Sequence, residues 1–418
     1  MNWITLIFLL ALVLSLVIQF WLDRRQLTHV LRHRDAVPDA FKERIPLEAH
    51  QKAADYTVTR TRVGIMELVL GTILLLLWTL GGGLQFVDTF WRGLALSPLV
   101  TGVLVIFSIL FISTLLELPV AIYRTFVIEH RFGFNRTTAG VFIGDQFKTL
   151  LVLLILGVPL ATLVLWLMQD ADPLWWLYVW AVWMGFSLLM LWAWPAFIAP
   201  LFNKFVPLDN QELKQRIENL LSRCGFQSNG VFVMDGSKRS SHGNAYFSGL
   251  GTNKRIVFFD TLLKSLNPEE VEAVLAHELG HFKRRHIQKR IISMAVISLV
   301  GLAILAWLIN LPEFYTGLGV NNPSTYMALI LFMMVSPLFS LYLQPLMAYF
   351  SRKHEFEADD YAAQQSNAAV LIQALVKLYE ENASTLTPDP IYSAFHDSHP
   401  PAPVRVAHLS SKLAASTV

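Results

Sequence analysis

The sequence predicts a mainly α, polytopic membrane protein with a smaller polar part, partly β, on the cytoplasmic side. Three observations predict it. The chain has 418 residues, of which 54% are hydrophobic and only 15% charged, against roughly 25% charged in soluble domains. Seven apolar runs each reach the length of a bilayer span, about 20 residues. A polar stretch between the fifth and sixth runs carries short β-rich segments and a metal-ligand spacing. The net charge of +2 gives no sign of a nucleic-acid partner, and the single cysteine, Cys224, excludes an intramolecular disulfide framework and a four-thiolate metal site.

The spans are read at 2–22, 63–81, 98–121, 150–168, 174–197, 291–311 and 326–350. The first ends at Asp23-Arg24-Arg25 and lacks the basic leader and small-residue cleavage site of a secretory signal, so it reads as a retained span. Orientation follows from Lys and Arg in the short connections. The first connection carries Arg24, Arg25, Arg32, Arg34, Lys42, Arg44, Lys52, Arg60 and Arg62, and the third carries Arg124, Arg131, Arg136 and Lys148. The second has Arg92 alone, and the fourth and sixth have no Lys or Arg. Odd connections are thus expected in the cytoplasm, with the N-terminus outside and the C-terminus inside. The membrane would be the inner (plasma) membrane of a prokaryote or the endoplasmic reticulum of a eukaryote. The expected division is 1–200 (spans one to five), 201–290 (cytoplasmic region), 291–350 (spans six and seven) and 351–418 (C-terminal cytoplasmic region).

Residues 23–62 read as a polar, partly helical loop broken at Pro38 and Pro46. Glu67 and Glu117 lie within apolar runs, where ionisable groups are functional candidates. The aromatic and polar stretch 127–148 should pack on the cytoplasmic mouth of the bundle. An amphipathic helix over 210–224 presents Leu213, Ile217, Leu220 and Leu221 on one face. Two β-rich runs follow, at 230–234 and 255–259. The stretch 244–247 between them is a candidate edge strand on which an extended peptide could add, held by main-chain hydrogen bonds.

His277-Glu278-Leu279-Gly280-His281 then reads H-E-x-x-H. On a helix, residues four apart share a face, so both imidazoles can meet one metal with the Glu278 carboxylate beside it. Neutral imidazole suits zinc, and a carboxylate that does not ligate can take a proton from activated water. Asn267-Pro268-Glu269-Glu270 supplies an N-cap, a Pro at N1 and an acid at N3, which starts a helix where the motif needs one. After it, Lys283, Arg284, Arg285, His286, Lys289 and Arg290 read as a basic collar at the membrane face. A third ligand must come from another helix. The hairpin of spans six and seven returns the chain to the same face, where Glu355 and Asp359 are spaced to give one carboxylate to the metal and one to orient a histidine. His354 is a rival ligand on spacing alone, and Arg352 and Arg405 read as ion-pair partners for acids.

Here the chain resembles the type I CAAX prenyl proteases, polytopic zinc metallopeptidases. The resemblance rests on H-E-L-G-H at 277–281 and S-R-x-x-E-x-x-A-D at 351–359. It extends to F-V-I-E-x-x-F-G-F-N at 126–135, F-I-A-P-L-F-N-K-F at 197–205, S-S-H-x-N-A-Y-F at 240–247 and S-H-P-P at 398–401. The resemblance implies a zincin-like protease region beside seven membrane helices that enclose a chamber. It also implies one zinc per chain on His277, His281 and Glu355, with Glu278 as acid/base. Asn244, with its neighbours Ala245 and Tyr246, and His399 would meet substrate, His399 as a donor to the developing oxyanion. The expected partners are a peptide or prenylated-protein substrate and membrane lipid. A quality-control protease for membrane proteins is the alternative within the same chemistry, and a transporter or receptor with a vestigial metal site is the alternative outside it.

Overall fold

Each apolar run becomes a helix, and most helices outgrow their runs. The computed structural model describes residues 2–169, 172–248 and 255–416. Among these, seven helices are long and apolar enough to cross a membrane. The first five are α1 (Trp3–Arg32), α2 (Leu47–Trp78), α3 (Pro98–Glu129), α4 (Ala139–Gln169) and α5 (Trp175–Phe202). The polar residues 23–32 and 47–62, expected as a partly helical loop, are helix throughout and continue α1 and α2. They do so because Val30, Ala54 and Val58 pack together, extending an apolar seam beyond the spans. The chain turns between them, and Pro46 caps the start of α2.

The polar region supplies β1 (Phe205–Pro207), α6 (Gln211–Cys224), β2 (Val231–Met234), β3 (Ala245–Ser248), β4 (Arg255–Phe259) and α7 (Pro268–Lys283). The strands form one sheet in the order β1-β2-β4-β3, with β2 and β4 parallel and the outer pairs antiparallel. β3 is therefore an edge strand. The sixth span is α8 (His286–Leu308). The seventh, α9 (Thr325–Gln365), is interrupted by a tighter turn at Leu341–Leu343. At 1.5 Å per residue its 41 residues reach about 60 Å, twice the hydrocarbon thickness, so its second half stands clear of the membrane. α10 (Ala368–Glu381), α11 (Pro390–His396) and α12 (Ala402–Ser416) complete the chain.

Successive spans touch one another and the seventh returns to the first, closing a ring. Buried side chains gather at its two ends. At one end Phe8, Trp78, Val105, Leu165, Val179, Leu305 and Met327, one from each span, join a single apolar cluster. Close approach is built in there, since a Cβ on Gly102 would stand 2.8 Å from the Tyr326 ring and 2.9 Å from Leu165. The N-terminus is pinned to the same end: Asn2 donates to the Glu313 carbonyl and the Thr5 hydroxyl to that of Gly317, both at 2.8 Å. At the other end Phe41, Ile217, Phe258, Leu275 and Leu371 belong to the core of the polar region. Between the ends α4, α5 and α8 have only 11%, 11% and 6% of their apolar windows buried. A helix inside a solid bundle hides a face, and these hide almost none. Their apolar side chains stand largely exposed, Ile143, Phe147 and Ile292 among them.

Of the ionisable groups in the spans, Glu67 pairs with Arg124 at 3.4 Å and Glu117 is exposed. The stretch 127–148, expected at the mouth of the bundle, is helical at both ends, and the turn between them packs against the loop before β3. Ser241 donates its N–H to the Phe134 carbonyl, and the Phe134 ring stacks on His242 at 4.4 Å.

Candidate active site

α7 begins with a capping box, Asn267 accepting from the Glu270 N–H and Glu270 reaching back to the Asn267 N–H. That fixes the phase of the helix, and its third turn lies against the second half of α9. The approach is close because residue 280 is glycine. A Cβ there would meet the Ala358 Cα at 2.8 Å and its carbonyl oxygen at 3.0 Å. Glu355 is three residues from Ala358, so the same contact sets how far its carboxylate stands from the histidines.

The three expected ligands come together. His277 Nε2 and His281 Nε2 are 3.3 Å apart. Glu355 lies 3.5 Å from the first through Oε2 and 3.3 Å from the second through Oε1. Ligands about 2.0–2.1 Å from a tetrahedral ion stand about 3.3 Å from one another, and one donor atom from each of the three residues lies within 4.8 Å of the others, close enough to share one zinc. Glu355 Oε2 is buried and has no hydrogen bond, even with His399 Nδ1 at 2.8 Å, because that contact lies off the hydrogen-bonding direction. An orphaned buried oxygen facing two ring nitrogens fits a cation. His354, the rival ligand, is not part of this cluster and instead stacks on His286 at 4.0 Å.

The surroundings orient the histidines. His277 Nδ1 donates to Asp359 at 2.8 Å, which leaves Nε2 free for metal. Asp359 is fully buried and takes two bonds from Arg405, at 2.9 Å from Nε and 2.6 Å from Nη2. Burial pulls the His277 pKa down, but the bonds to Asp359 and Glu355 outweigh it and leave the imidazole raised to about 9 in the metal-free chain. Burial likewise opposes the Arg405 charge, and Asp359 more than restores it.

Arg352 departs from expectation. Among the described residues its guanidinium forms no ion pair within 4 Å but donates to the main-chain carbonyls of Ser393 and Asp397, at 3.2 and 2.8 Å. It braces the loop that carries His399, whose exposed ring reaches back to Glu355. Glu278 is half-buried, and no hydrogen bond or ion pair holds its carboxylate among the described residues. Asn244 is exposed and its side chain accepts from the Ala245 N–H. β3 is tied to the metal helix by Phe247 against Phe282, ring centres 4.9 Å apart. Ala245 packs towards the core, while Tyr246 turns to the other face, beside a cleft of about 520 Å³ lined by Pro195, Pro200 and Phe232. Sequence reasoning missed His286, which leaves the collar and turns in beneath His281.

Two family models match. One described as the CAAX prenyl protease N-terminal region, five membrane helices, covers residues 26–204, and peptidase family M48 covers 207–413. A "CAAX prenyl protease 1 homolog" of Arabidopsis thaliana is 40% identical over 69% of this chain and 68% of its own. One from Dictyostelium discoideum is 33% identical over 94% of each. The crystal structure of S. mikatae Ste24p superimposes with a TM-score of 0.90 at 30% identity, covering 98% of this chain and 99% of that one.

Proposed function

Because the chain belongs to the CAAX prenyl protease family of M48 peptidases, and so is an integral-membrane zinc metalloendopeptidase, we propose that it removes C-terminal residues from prenylated CAAX proteins. The observation that carries this is the triad of donor residues close enough to share one tetrahedral ion, set beside an open edge strand and an unheld carboxylate.

Zinc supplies Lewis acidity that polarises a carbonyl and lowers the pKa of water. The chain's own residues do the rest. Glu278 accepts the proton of the attacking water and passes it to the leaving amine, for which its carboxylate must be free. Asp359, held by Arg405, keeps the proton of His277 on Nδ1. β3 receives the peptide as an added strand, with Asn244, Ala245 and Tyr246 lining it. His399 supplies a donor for the oxyanion, on a loop steadied by Arg352. The chamber implied by the family resemblance takes the prenyl chain, since each buried CH₂ contributes about 0.8 kcal/mol. The N-terminus lies outside and the site faces the cytoplasm, on the side of the Lys- and Arg-rich connections.

The test uses the purified chain in lipid nanodiscs with farnesylated and unlipidated forms of one CAAX peptide. Release of the three-residue product from the farnesylated form alone, abolished by phenanthroline and restored by zinc, is expected. Equal cleavage of unlipidated peptides and of unfolded membrane proteins would replace this substrate with the quality-control reading.

Zinc loading should also release a proton. The His277 pKa is raised above its ordinary 6.5 to about 9, so its charged form stabilises the metal-free fold below about 6.5 and that contribution fades as pH rises through about 9. Zinc needs the uncharged ring. Calorimetry on chelator-stripped protein at pH 7.5, in buffers of different ionisation enthalpy, should show about one proton lost per zinc. Zinc affinity should climb between pH 6.5 and about 9.

A further inference from the structure

His286 follows His281 by five residues, which on a continuous helix would place it about 140° round from the metal face. The chain breaks instead. Arg285, between α7 and α8, is a non-glycine residue at φ +56°, ψ +34°, in the left-handed region that side chains avoid. Such strain persists where the surroundings over-determine it. The break folds the start of α8 back under the end of α7 and buries His286, which is 5% exposed.

In that place His286 Nδ1 stands 3.0 Å from His281 Nδ1, and its Nε2 stands 3.0 Å from Glu357 Oε2. The His354 ring stacks on it at 4.0 Å, nearly parallel. Only one arrangement of protons satisfies these contacts with both rings neutral and His281 ligating through Nε2. His281 then carries its proton on Nδ1 and donates it to His286 Nδ1, and His286 carries its own on Nε2 and donates it to Glu357. The carboxylate at the end of the chain sets the tautomer of the ring at its start.

We propose that His286 and Glu357 are positioning residues that fix the tautomer and orientation of the metal ligand His281. His277 has its orienting carboxylate in Asp359, one bond away. Among the described residues none places a carboxylate at His281 Nδ1, and His286 carries the influence of Glu357 across the gap. Lys289 Nζ stands 3.7 Å from the same Glu357 Oε2, beyond hydrogen-bonding distance, and is half exposed, so it adds charge without a role in the hydrogen bonds. Histidine at 286 is thereby selected over any residue that merely fills the space.

This inference rests on the zinc reading of His277, His281 and Glu355, and its test separates the two. Full-length His286→Phe, His286→Asn, Glu357→Ala and Lys289→Ala are prepared in detergent and stripped of metal. Zinc dissociation constants are measured by chelator competition, and the visible bands of the Co²⁺-loaded forms are recorded. Loss of an orienting partner typically weakens a metal site 10–100-fold. His286→Phe keeps the ring stack and should show that loss with altered Co²⁺ bands, and its stripped form should melt where the parent does. His286→Asn, which can accept from one side and donate to the other, should recover most of the affinity. Glu357→Ala, a change at a partly exposed side chain, should weaken zinc about tenfold, and Lys289→Ala should not. Unchanged affinity and bands in both His286→Phe and Glu357→Ala would overturn the proposal, as would an equal loss in Lys289→Ala. Failure of the parent chain to bind zinc is a different result and would overturn the metal reading itself.

Discussion

Glu278→Gln is expected to keep its zinc and lose nearly all turnover. The exchange preserves shape and removes the one property the reaction needs, a carboxylate able to take a proton. The three donor atoms around the metal do not include Glu278, and among the described residues it holds no partner whose loss would disturb the fold. Metal content should therefore stay at one per chain, and melting should match the parent. Positioned proton transfer contributes about 10²–10⁴ in rate, so kcat on a farnesylated peptide should fall by at least about 10²-fold with KM little changed. Near-normal turnover would show that another group handles the proton.

The second large effect is expected from Gly280→Ala, a change of one methyl group. On most helices alanine in place of glycine favours the helix by about 1 kcal/mol. Here the added carbon would stand 2.8 Å from the Ala358 Cα and 3.0 Å from its carbonyl oxygen, and backbone cannot move aside as a side chain can. α7 and the second half of α9 must separate, carrying Glu355 away from the imidazoles by a distance comparable to the bond tolerance of zinc. Misplacement of catalytic groups by about 1 Å costs about 10²-fold. Zinc retention during gel filtration and peptide cleavage should both drop, more than secondary structure does by circular dichroism. Adding Ala358→Gly should not restore them, because the clash is with main-chain atoms that remain. Full recovery in the double variant would show that the contact is between side chains.

Much of this was legible because its signals are local. H-E-x-x-H on a capped helix places two imidazoles by periodicity alone, and the seven apolar runs report the membrane by length. The convergence of Glu355 needed one more step, that a membrane hairpin returns the chain to the face it left. His286 was misread because its residue type and neighbours match a basic collar, and only the left-handed turn at Arg285 turns its ring inward. Arg352 was assigned an acid because opposite charges are the default inference from sequence, whereas the loop offers it carbonyls that no pattern announces. The polar ends of α1 and α2 were legible only as partly helical because hydropathy ends where the membrane does, while the helices continue through a narrow seam of Val30, Ala54 and Val58. Gly280 was passed over as part of the motif, since its reason lies on a helix some eighty residues away.

The ring closes through its two extremes in sequence. Asn2 and Thr5 find their partners on the connection between the sixth and seventh spans, at Glu313 and Gly317. During synthesis the first helix is in the bilayer long before those partners exist, and contacts so distant along the chain cost the most entropy to form. Enclosure is thus among the last events of biogenesis. Until the seventh span, Thr325–Gln365, has been made, the first lacks the neighbour that closes the ring, and a chain stopped short of it is left an open crescent.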